Sequence, residues 1–265
     1  MKPWETILLH EDEVERGVQM ITLNRPRALN ALNTQMALDL IDCLSGLKDS
    51  EQIRVLVLTG AGERSFCVGA DLKERNGMTN KEWKKQHEIF EEAYRMIREF
   101  PYPVVAAING YALGGGMEMI LSCDFRIAVQ HAEFGLPEAT LGIIPGVGGT
   151  QLLPRTIPVG LAKEILFRGH RISAQRGKEI GLLNDVVGTQ GDLLATALDI
   201  AREIGRNAPL SLRSIKQAVN NGLQADLNTA LTIELDQYYK CANSEDRLEG
   251  IRAFNEKRKP NWQGK

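Results

Sequence analysis

The chain has 265 residues, of which 43% are hydrophobic and 25% charged, and its formal net charge at pH 7 is −2. This length fits one large domain, or one domain with a small appendage, and the composition is that of a soluble globular protein. The slight negative charge disfavours general nucleic-acid binding, and no apolar run approaches the ~20 residues of a transmembrane helix.

The amino-terminal segment and the cysteines bear on the cellular compartment. The segment MKPWETILLHEDE has neither the apolar core of a signal peptide nor an Arg- and Ser-rich leader, which predicts a cytoplasmic protein. The cysteines lie far apart and form no CxxC pair: Cys43, Cys67, Cys123 and Cys241. They predict free thiols, with neither a zinc site nor a disulfide.

Strand and helix patterns alternate through the first part of the chain. Segments rich in β-branched or apolar residues predict strands: 18–23, 54–60, 104–110 and 125–129. Segments with apolar residues at helical spacing, or with a glycine turn before an apolar run, predict helices: 34–48, 79–100 and GGGMEMILSC from Gly114. Asn80 is a candidate cap for the second of these helices, and PYP at 101–103 would end it. The alternation predicts an α/β fold with largely parallel strands.

The pattern changes after about residue 190, where helical segments follow one another: 191–206, 210–222, 227–242 and 244–257. These segments predict a helical carboxy-terminal region that packs on the α/β body or on another subunit. We therefore divide the chain into 1–190 and 191–265.

The segment NGYALGGGMEMILSCD (109–124) places three glycines before an apolar helix that contains one acid, Glu118. A glycine turn that opens a helix leaves backbone N–H groups unpaired, and together with the helix dipole they suit a developing oxyanion. Glu118, one turn further on, could act as an acid or a base. A tight turn and a solvated glutamate are the structural alternatives.

Other glycine motifs do not fit this segment. A P-loop needs Gly-Lys-Ser/Thr where this chain has Gly-Met-Glu, and a dinucleotide fingerprint needs glycine or alanine where this chain has Met119. No GxSxG nucleophile elbow is present either.

A second glycine-rich segment, FGLPEATLGIIPGVGGTQLLPR (134–155), also carries a single acid, Glu138. Two acids in two apolar, glycine-rich segments are candidates for adding and removing water. One acid would handle the water and the other a carbon-bound proton. Two separately tolerated carboxylates remain the alternative at this point.

Five segments, in order, are similar to the enoyl-CoA hydratase/isomerase (crotonase) superfamily: NRPRALNAL (24–32), SFCVGADLKE (65–74), PVVAAINGYALGGGMEMILSCDFRIA (103–128), FGLPEATLGIIPGVGGTQLLPR (134–155) and AFNEKRKP (253–260). The resemblance implies an α/β fold of the crotonase-like ββα spiral type, with a C-terminal helical trimerisation region. On this view residues 1–190 form the spiral core with the CoA and catalytic site, and residues 191–265 mediate trimerisation. Members are usually homotrimers or hexamers built from two trimers.

The resemblance also implies roles for single residues in the catalytic site. The N–H groups of Ala70 and Gly115 match the oxyanion hole, Glu118 the acid that activates water, and Glu138 the acid that delivers a proton to the α-carbon. Gly146 sits where a backbone donor supports this pair. Members that only move a double bond commonly lack the Glu118-type acid, so hydration is favoured over the alternative, an isomerase.

By the same resemblance, the substrate carries coenzyme A, and neither a permanently bound cofactor nor a metal is implied. The residues that match the substrate and CoA site are Arg27, Ala28, Cys67, Val68, Ala70, Asp71, Leu72, Gly114, Gly146, Tyr238, Phe254 and Lys257. Phe254 and Lys257 match contacts that reach the CoA of a neighbouring subunit, and a solvated basic end is the alternative for Lys257.

Several segments, among them DLKER, CDFRIA, DRLEG and AFNEKRKP, are most similar to the AU-rich-RNA-binding type of methylglutaconyl-CoA hydratase. Leu136 matches that group better than the glutamine common in short-chain enoyl-CoA hydratases. RNA-binding members carry spaced lysines on the helix that matches 34–48, whereas this chain has Asp39 and Asp42 there. These acids disfavour RNA binding, because they would repel phosphate.

Overall fold

The computed structural model describes residues 4–265. Its strands are β1 (Ile7–Glu11), β2 (Val18–Leu23), β3 (Val55–Gly60), β4 (Ser65–Cys67), β5 (Val104–Ile108), β6 (Tyr111–Leu113), β7 (Phe125–Val129), β8 (Glu133–Gly135), β9 (Ile172–Ser173) and β10 (Asp185–Val187). Its α-helices are α1 (Thr34–Lys48), α2 (Leu72–Arg75), α3 (Asn80–Arg98), α4 (Gly115–Leu121), α5 (Gly149–Thr156), α6 (Val159–Arg168), α7 (Ala174–Glu179), α8 (Gln190–Gly205), α9 (Pro209–Gly222), α10 (Leu227–Ala242) and α11 (Glu245–Asn255). Short 3-10 helices form at Pro26–Ala28 and Pro137–Leu141.

A six-stranded sheet, in the order β1-β2-β3-β5-β7-β10, holds the core. Its strands pair in parallel from β2 to β10, and only β1 runs antiparallel to its neighbour. Every residue of β3 and β5 is buried, as expected for parallel strands covered on both faces. The prediction of an α/β fold with largely parallel strands is confirmed. The edge strand β1 was not predicted, because its alternation is weak and most of its residues are at least partly exposed.

A second sheet, in the order β4-β6-β8-β9, consists of strands two or three residues long. Each of β3, β5 and β7 is followed by one of these short strands and then by a helix. This repeat is the predicted ββα spiral, which is confirmed. The short strands themselves were not predicted, because two or three residues carry no measurable period.

The N-cap of helix α3 lies one residue earlier than the sequence indicated. Thr79, not Asn80, is the N-cap: its hydroxyl accepts the N–H of Glu82, and the Glu82 carboxylate accepts the N–H of Thr79 at 2.8 Å. This reciprocal pair is a capping box. Asn80 is the first helical residue, so the prediction of an Asn80 cap was wrong.

The four carboxy-terminal helices are confirmed, and they differ in where they pack. Helix α8 buries Leu193, Ala197 and Ala201 in the main core beneath the large sheet. Helix α10 buries no residue and packs against α9. The division of the chain at residue 190 stays a prediction, with α8 attached to the α/β body.

Asp39 of α1 does not contribute a surface charge. It is 5% exposed and accepts hydrogen bonds from the N–H and hydroxyl of Thr6 and from Gln35. The expectation that Asp39 repels phosphate is therefore wrong, because its carboxylate ties α1 to the start of β1. Asp42 remains exposed and accepts the indole N–H of Trp4.

The cysteines are free thiols, as predicted, and all but Cys241 are buried. Among residues 4–265, no helix combines the length and apolar character that crossing a membrane requires.

Candidate active site

The loop after β4 meets the first turn of α4. Gly69 has φ +88°, and a Cβ at this position would lie 2.9 Å from the backbone nitrogen of Gly115. Leu32 fixes the loop from the other side, because it donates to Gly69 O and accepts from Asp71 N, both at 2.8 Å. Ala70 lies between Gly69 and Asp71, the two residues that Leu32 bonds. A Cβ on Gly115 would lie 3.8 Å from the backbone nitrogen of Ala70. The two N–H groups that sequence reasoning paired are therefore neighbours.

Tyr94 of α3 supports this junction and was missed by sequence reasoning. Its hydroxyl donates a hydrogen bond of 2.8 Å to the carbonyl oxygen of Gly115, and its side chain is 1% exposed. Burial is the main reason that the pKa of Tyr94 is raised well above its ordinary value, so the phenol stays a hydrogen-bond donor. It anchors the peptide that joins Gly115 to Gly116, directly after the oxyanion N–H.

Glu118 lies one turn into α4 and is 3% exposed. Its Oε1 accepts two backbone N–H groups, from Val147 at 2.9 Å and from Gly149 at 2.7 Å. Both donors belong to the glycine-rich loop that leads into α5. Burial raises the pKa of Glu118, and these two hydrogen bonds act against the rise. Since Oε2 has no hydrogen-bond partner among residues 4–265, one carboxylate oxygen remains for a small polar ligand.

Glu138 lies in the 3-10 helix that follows β8 and is 8% exposed. Its Oε1 would lie 3.0 Å from a Cβ on Gly114, so the carboxyl group borders the glycines of the oxyanion junction. Its Oε2 is buried and has no partner among the described residues. Burial, followed by the nearby negative charge of Glu118, raises the pKa of Glu138 to about 7.

The two carboxyl groups are near enough to interact, but their environments differ. Glu118 receives two N–H donors that favour its ionised form, whereas no described side chain or backbone group bonds the buried Oε2 of Glu138. Near neutral pH this arrangement offers one carboxylate that can accept a proton and one carboxylic acid that can donate a proton. The sequence had suggested the pair, and the structure places both members at α4.

His87 of α3 is a second residue that sequence reasoning missed. Its Nε2 lies 3.2 Å from the carbonyl oxygen of Gly146 and 3.3 Å from the carboxylate of Glu91. The imidazole therefore supports the loop that carries the donors to Glu118. The role expected for Gly146, a backbone donor to the acid pair, stays a prediction: the two short bonds to Glu118 come from Val147 and Gly149, and the backbone of Gly146 adds a smaller lowering of the Glu118 pKa.

The expected CoA cradle begins at the 3-10 helix Pro26–Ala28. A cavity of about 320 Å³ is lined by the segment from Asn24 to Ala28, which includes Arg27. Arg25 joins this segment to the oxyanion loop through an ion pair of 2.9 Å with Asp71.

The other residues expected to contact CoA lie along the loop from β4 to α2. Asp71 caps α2 by accepting the N–H groups of Lys73 and Glu74, so its carboxylate already has a structural task. Cys67 is buried, Val68 is half-buried and Leu72 is 52% exposed. Burial raises the pKa of Cys67 to about 11, and the thiol remains protonated at neutral pH.

Three expected substrate contacts lie apart from this cluster. Tyr238 is on α10, Phe254 is on α11, and Lys257 follows α11 with φ +54°. Tyr238 is 61% and Phe254 84% exposed, and within residues 4–265 none of the three side chains bonds to the residues around Glu118. Their expected role stays a prediction. In the same described range, no group of three or more His, Cys, Asp and Glu side chains is placed to hold a metal ion.

Comparisons with known proteins show which family this chain resembles. A family model described as enoyl-CoA hydratase/isomerase matches residues 13–265. The short-chain-enoyl-CoA hydratase of Clostridium acetobutylicum is 42% identical over 93% of this chain and 94% of its own length. The mitochondrial methylglutaconyl-CoA hydratase of Mus musculus is 40% identical over 96% of this chain and 82% of its own. The crystal structure of an enoyl-CoA hydratase from Bacillus anthracis superposes with a TM-score of 0.95 at 46% identity, covering 98% of this chain and all of that one.

Proposed function

The chain belongs to the enoyl-CoA hydratase/isomerase family, and from this premise we propose that it is an acyl-CoA hydratase. It adds water reversibly across the 2,3 double bond of a trans-2-enoyl-CoA with a short or branched acyl group. Coenzyme A enters as part of the substrate.

In the proposed mechanism, the thioester carbonyl oxygen accepts hydrogen bonds from the N–H groups of Ala70 and Gly115. These donors stabilise the enolate that forms when C3 is attacked, and each is worth roughly 3 kcal/mol in a transition state of this kind. Tyr94 bonds the carbonyl oxygen of Gly115, which anchors the first turn of α4 directly after this N–H. The catalytic effect rests on donors that are in place before the reaction begins.

Glu118 and Glu138 divide the proton transfers. The Oε2 of Glu118 takes a proton from the attacking water while Oε1 stays bound to Val147 and Gly149. Glu138 delivers a proton to C2, beside Gly114. Dehydration is the reverse: Glu138 takes the proton from C2, and Glu118, protonated at the start, gives its proton to the leaving hydroxyl group.

One observation carries this proposal. Two buried carboxyl groups lie close enough for the charge of Glu118 to raise the pKa of Glu138; the first is held by two N–H groups and the second has a pKa of about 7. An isomerase needs only one acid that moves a proton between two carbons, whereas addition of water needs a group for each of two transfers.

The CoA moiety is proposed to lie along the cavity at Asn24–Ala28 and the loop from Cys67 to Leu72. The helical region 191–265 is proposed to form a homotrimer or a dimer of trimers, which would bring Phe254 and Lys257 to the CoA of a neighbouring subunit.

Replacement of the water-activating acid tests the mechanism. Glu118→Gln should lower kcat for hydration of crotonyl-CoA by about 10²- to 10⁴-fold, because the amide cannot accept the proton. Loss of absorbance from the conjugated thioester measures the rate. Glu88→Gln is the matched control, because Glu88 lies on α3 with its side chain 60% exposed. Near wild-type hydration by Glu118→Gln would refute the assignment.

The isomerase alternative is tested with the wild-type protein. The protein is incubated with a 3-enoyl-CoA, and the products are separated by chromatography. The rate at which 2-enoyl-CoA and 3-hydroxyacyl-CoA form should be well below the rate of crotonyl-CoA hydration. Faster conversion of the 3-enoyl substrate than of crotonyl-CoA would favour the isomerase.

A further inference from the structure

The glycine-rich loop before α5 contacts side chains from two different helices. His87 of α3 packs on Gly146, where an added Cβ would lie 2.5 Å from Cε1 of the imidazole. Glu118 of α4 packs on Gly149, where an added Cβ would lie 3.1 Å from Oε1 of the carboxylate. A side chain at Gly146 would displace the imidazole, so the absence of a Cβ there lets the ring lie directly on the loop backbone.

One peptide group of this loop is bonded at both of its ends. The carbonyl oxygen of Gly146 and the N–H of Val147 belong to the same planar amide, which is trans and therefore points them in opposite directions. The carbonyl oxygen lies 3.2 Å from Nε2 of His87, and the N–H donates to Oε1 of Glu118 at 2.9 Å. The imidazole and the catalytic carboxylate thus hold the two ends of one amide dipole.

The groups that face Nε2 of His87 decide where its proton lies. The carbonyl oxygen of Gly146 only accepts hydrogen bonds, and so does the carboxylate of Glu91, which lies 3.3 Å from the same nitrogen. Nε2 therefore carries a proton and donates. Two acceptors share this one N–H, and only the bond to Gly146 leads to the loop that holds Glu118.

The imidazole also lies close enough to Glu118 to act on its charge. Burial raises the pKa of Glu118, the N–H groups of Gly149 and Val147 are the main influences that lower it, and His87 is the next. Apart from Glu118, the titratable group that faces His87 is Glu91, on the same helix, and the loop residues 143–150 include none. A hydrogen bond at the carbonyl end of an amide strengthens donation at its N–H end, because bonded amides polarise one another.

We propose that His87 is a positioning residue for the water-activating base: by bonding the carbonyl oxygen of Gly146, it aims the N–H of Val147 at Glu118. This inference rests on the proposed hydratase function and adds a residue to its mechanism. His87 acts through the peptide and not on the substrate. Without the imidazole, the peptide is free to rotate, the bond from Val147 weakens, and the ionised form of Glu118 loses part of its stabilisation.

Two amide variants of His87 isolate this hydrogen bond. The amide nitrogen of glutamine extends about as far from the backbone as Nε2, whereas that of asparagine extends only as far as Nδ1. His87→Gln should therefore keep most of the activity on crotonyl-CoA and the wild-type acid limb of the pH profile. His87→Asn should lower kcat roughly tenfold with little change in KM, because the base is less well held.

The pH profile separates this role from a loss of packing. In His87→Asn, the acid limb of kcat/KM should move to higher pH by roughly half a unit, because Glu118 becomes harder to ionise when part of one hydrogen bond is lost. A change in packing alone would lower the rate without moving this limb. An acid limb at the wild-type pH, or equal losses in the Gln and Asn variants, would overturn the proposal.

A variant of Glu91 tests the same bond without altering the histidine. Glu91 is 57% exposed, and Glu91→Met would leave the N–H of His87 to Gly146 alone, so the acid limb should move to lower pH. Glu88→Met is the matched control, because it removes the same charge from a 60% exposed position of α3 that pairs with Lys84. A limb that moves no further than in this control would overturn the proposal even if the His87 variants failed to fold.

The hydratase proposal and the role of His87 fail in different ways. A wild-type protein that does not hydrate crotonyl-CoA would refute the hydratase, and the role of His87 with it. A wild-type hydratase whose acid limb is insensitive to His87→Asn and to Glu91→Met would refute the role of His87 alone.

Discussion

In the proposed mechanism, Glu118 and Glu138 have different tasks because their hydrogen-bond partners differ. Glu118 is the more deeply buried, at 3% exposure, yet two backbone N–H groups stabilise its charge. Glu138 has a buried oxygen without any such donor among residues 4–265, and its pKa rises to about 7. In the proposed mechanism, the difference between the base and the acid therefore originates in the loop at 147–149.

The pair predicts a pH dependence. Catalysis in either direction needs one proton on the pair, on Glu138 for hydration and on Glu118 for dehydration. Because hydration neither consumes nor releases a proton, kcat/KM should show the same bell-shaped profile in both directions. Activity should fall as the pH rises above about 7, where the remaining proton is lost from the pair, since the pKa of Glu138 is raised to about 7. Activity should also fall at low pH, where Glu118, whose pKa is raised above 4.5, becomes protonated.

The measurement is kcat/KM for crotonyl-CoA hydration and for 3-hydroxybutyryl-CoA dehydration across the same buffers. The two limbs report macroscopic values of the pair and not of either residue alone. Rates that continue to rise well above pH 7 would contradict the assignment of Glu138 as the proton donor. Glu138→Gln should abolish the profile together with most of the activity.

Some site residues were predictable from sequence and others were not. Glu118 and Glu138 stand out because each is a lone acid in an apolar, glycine-rich segment. Tyr94 and His87 belong to a charged helical segment, where a polar or aromatic residue usually indicates only an amphipathic face. Their roles depend on which loop each turn of α3 meets, and that is decided by tertiary packing.

At the scale of elements, the contact between β4 and α4 positions the catalytic groups. Gly116, in the first turn of α4, packs so closely on β4 that a Cβ would overlap the carbonyl oxygen of Cys67. The backbone at Cys67 cannot move away easily, because the loop that follows it is hydrogen-bonded to Leu32. A glycine is therefore required at this position by space, and the second of the three consecutive glycines is the one left to face the oxyanion junction.

This contact predicts the effect of a single methyl group. Gly116→Ala should lower the free energy of unfolding by at least ~1–3 kcal/mol, the usual cost of overpacking, and should reduce hydration further by displacing the N–H of Gly115. Gly46→Ala is the matched control on α1, where nothing lies within 4 Å of an added Cβ. It should stabilise the protein by up to ~1 kcal/mol, because alanine favours a helix. Urea unfolding of both variants measures the difference, and equal midpoints would contradict the packing argument.

Element lengths explain which parts of the fold were predictable. The bounds expected for β2, α1, β7 and α10 are those observed, because each is long or strongly apolar. The four short strands of the second sheet were missed, yet they carry the loops that place Ala70, Gly115 and Glu138. Without the family resemblance, periodicity alone would have given the four inner strands of the large sheet, β2, β3, β5 and β7, and not the sheet that builds the site.

At the scale of the whole molecule, the ββα repeats bring separate loops to one place. The loop after β4, the glycine turn after β6 and the 3-10 helix after β8 follow three adjacent strands of the small sheet. Parallel neighbours end at the same edge, so their following segments meet there. Ala70, Gly115 and Glu138, widely separated in sequence, are assembled by this repetition.

The carboxy-terminal helices leave apolar stripes exposed in the single chain. Along α9, its C-cap Leu223 and α10, large exposed apolar residues recur every four positions: Ile215, Val219 and Leu223, then Leu227, Leu231, Leu235 and Tyr239. A stripe of this spacing forms one continuous helix face, and exposed apolar faces of this kind mark contact surfaces. The stripes support the proposed trimer, in which this face would be covered by another copy of the chain.

Charged substitutions on this face should therefore change the oligomeric state. Leu231→Glu combined with Leu235→Glu should shift the protein from trimer or hexamer to monomer in native mass spectrometry, because two carboxylates would be buried without partners. The control is Lys81→Glu combined with Lys84→Glu, which alters two exposed positions of α3. If Phe254 and Lys257 reach the CoA of a neighbour, the dissociated variant should also bind coenzyme A more weakly, while the control keeps wild-type affinity. If the Leu231/Leu235 variant keeps its oligomeric state, these helices are not part of the interface. If the wild-type protein is monomeric at micromolar concentration, the proposed trimer is refuted.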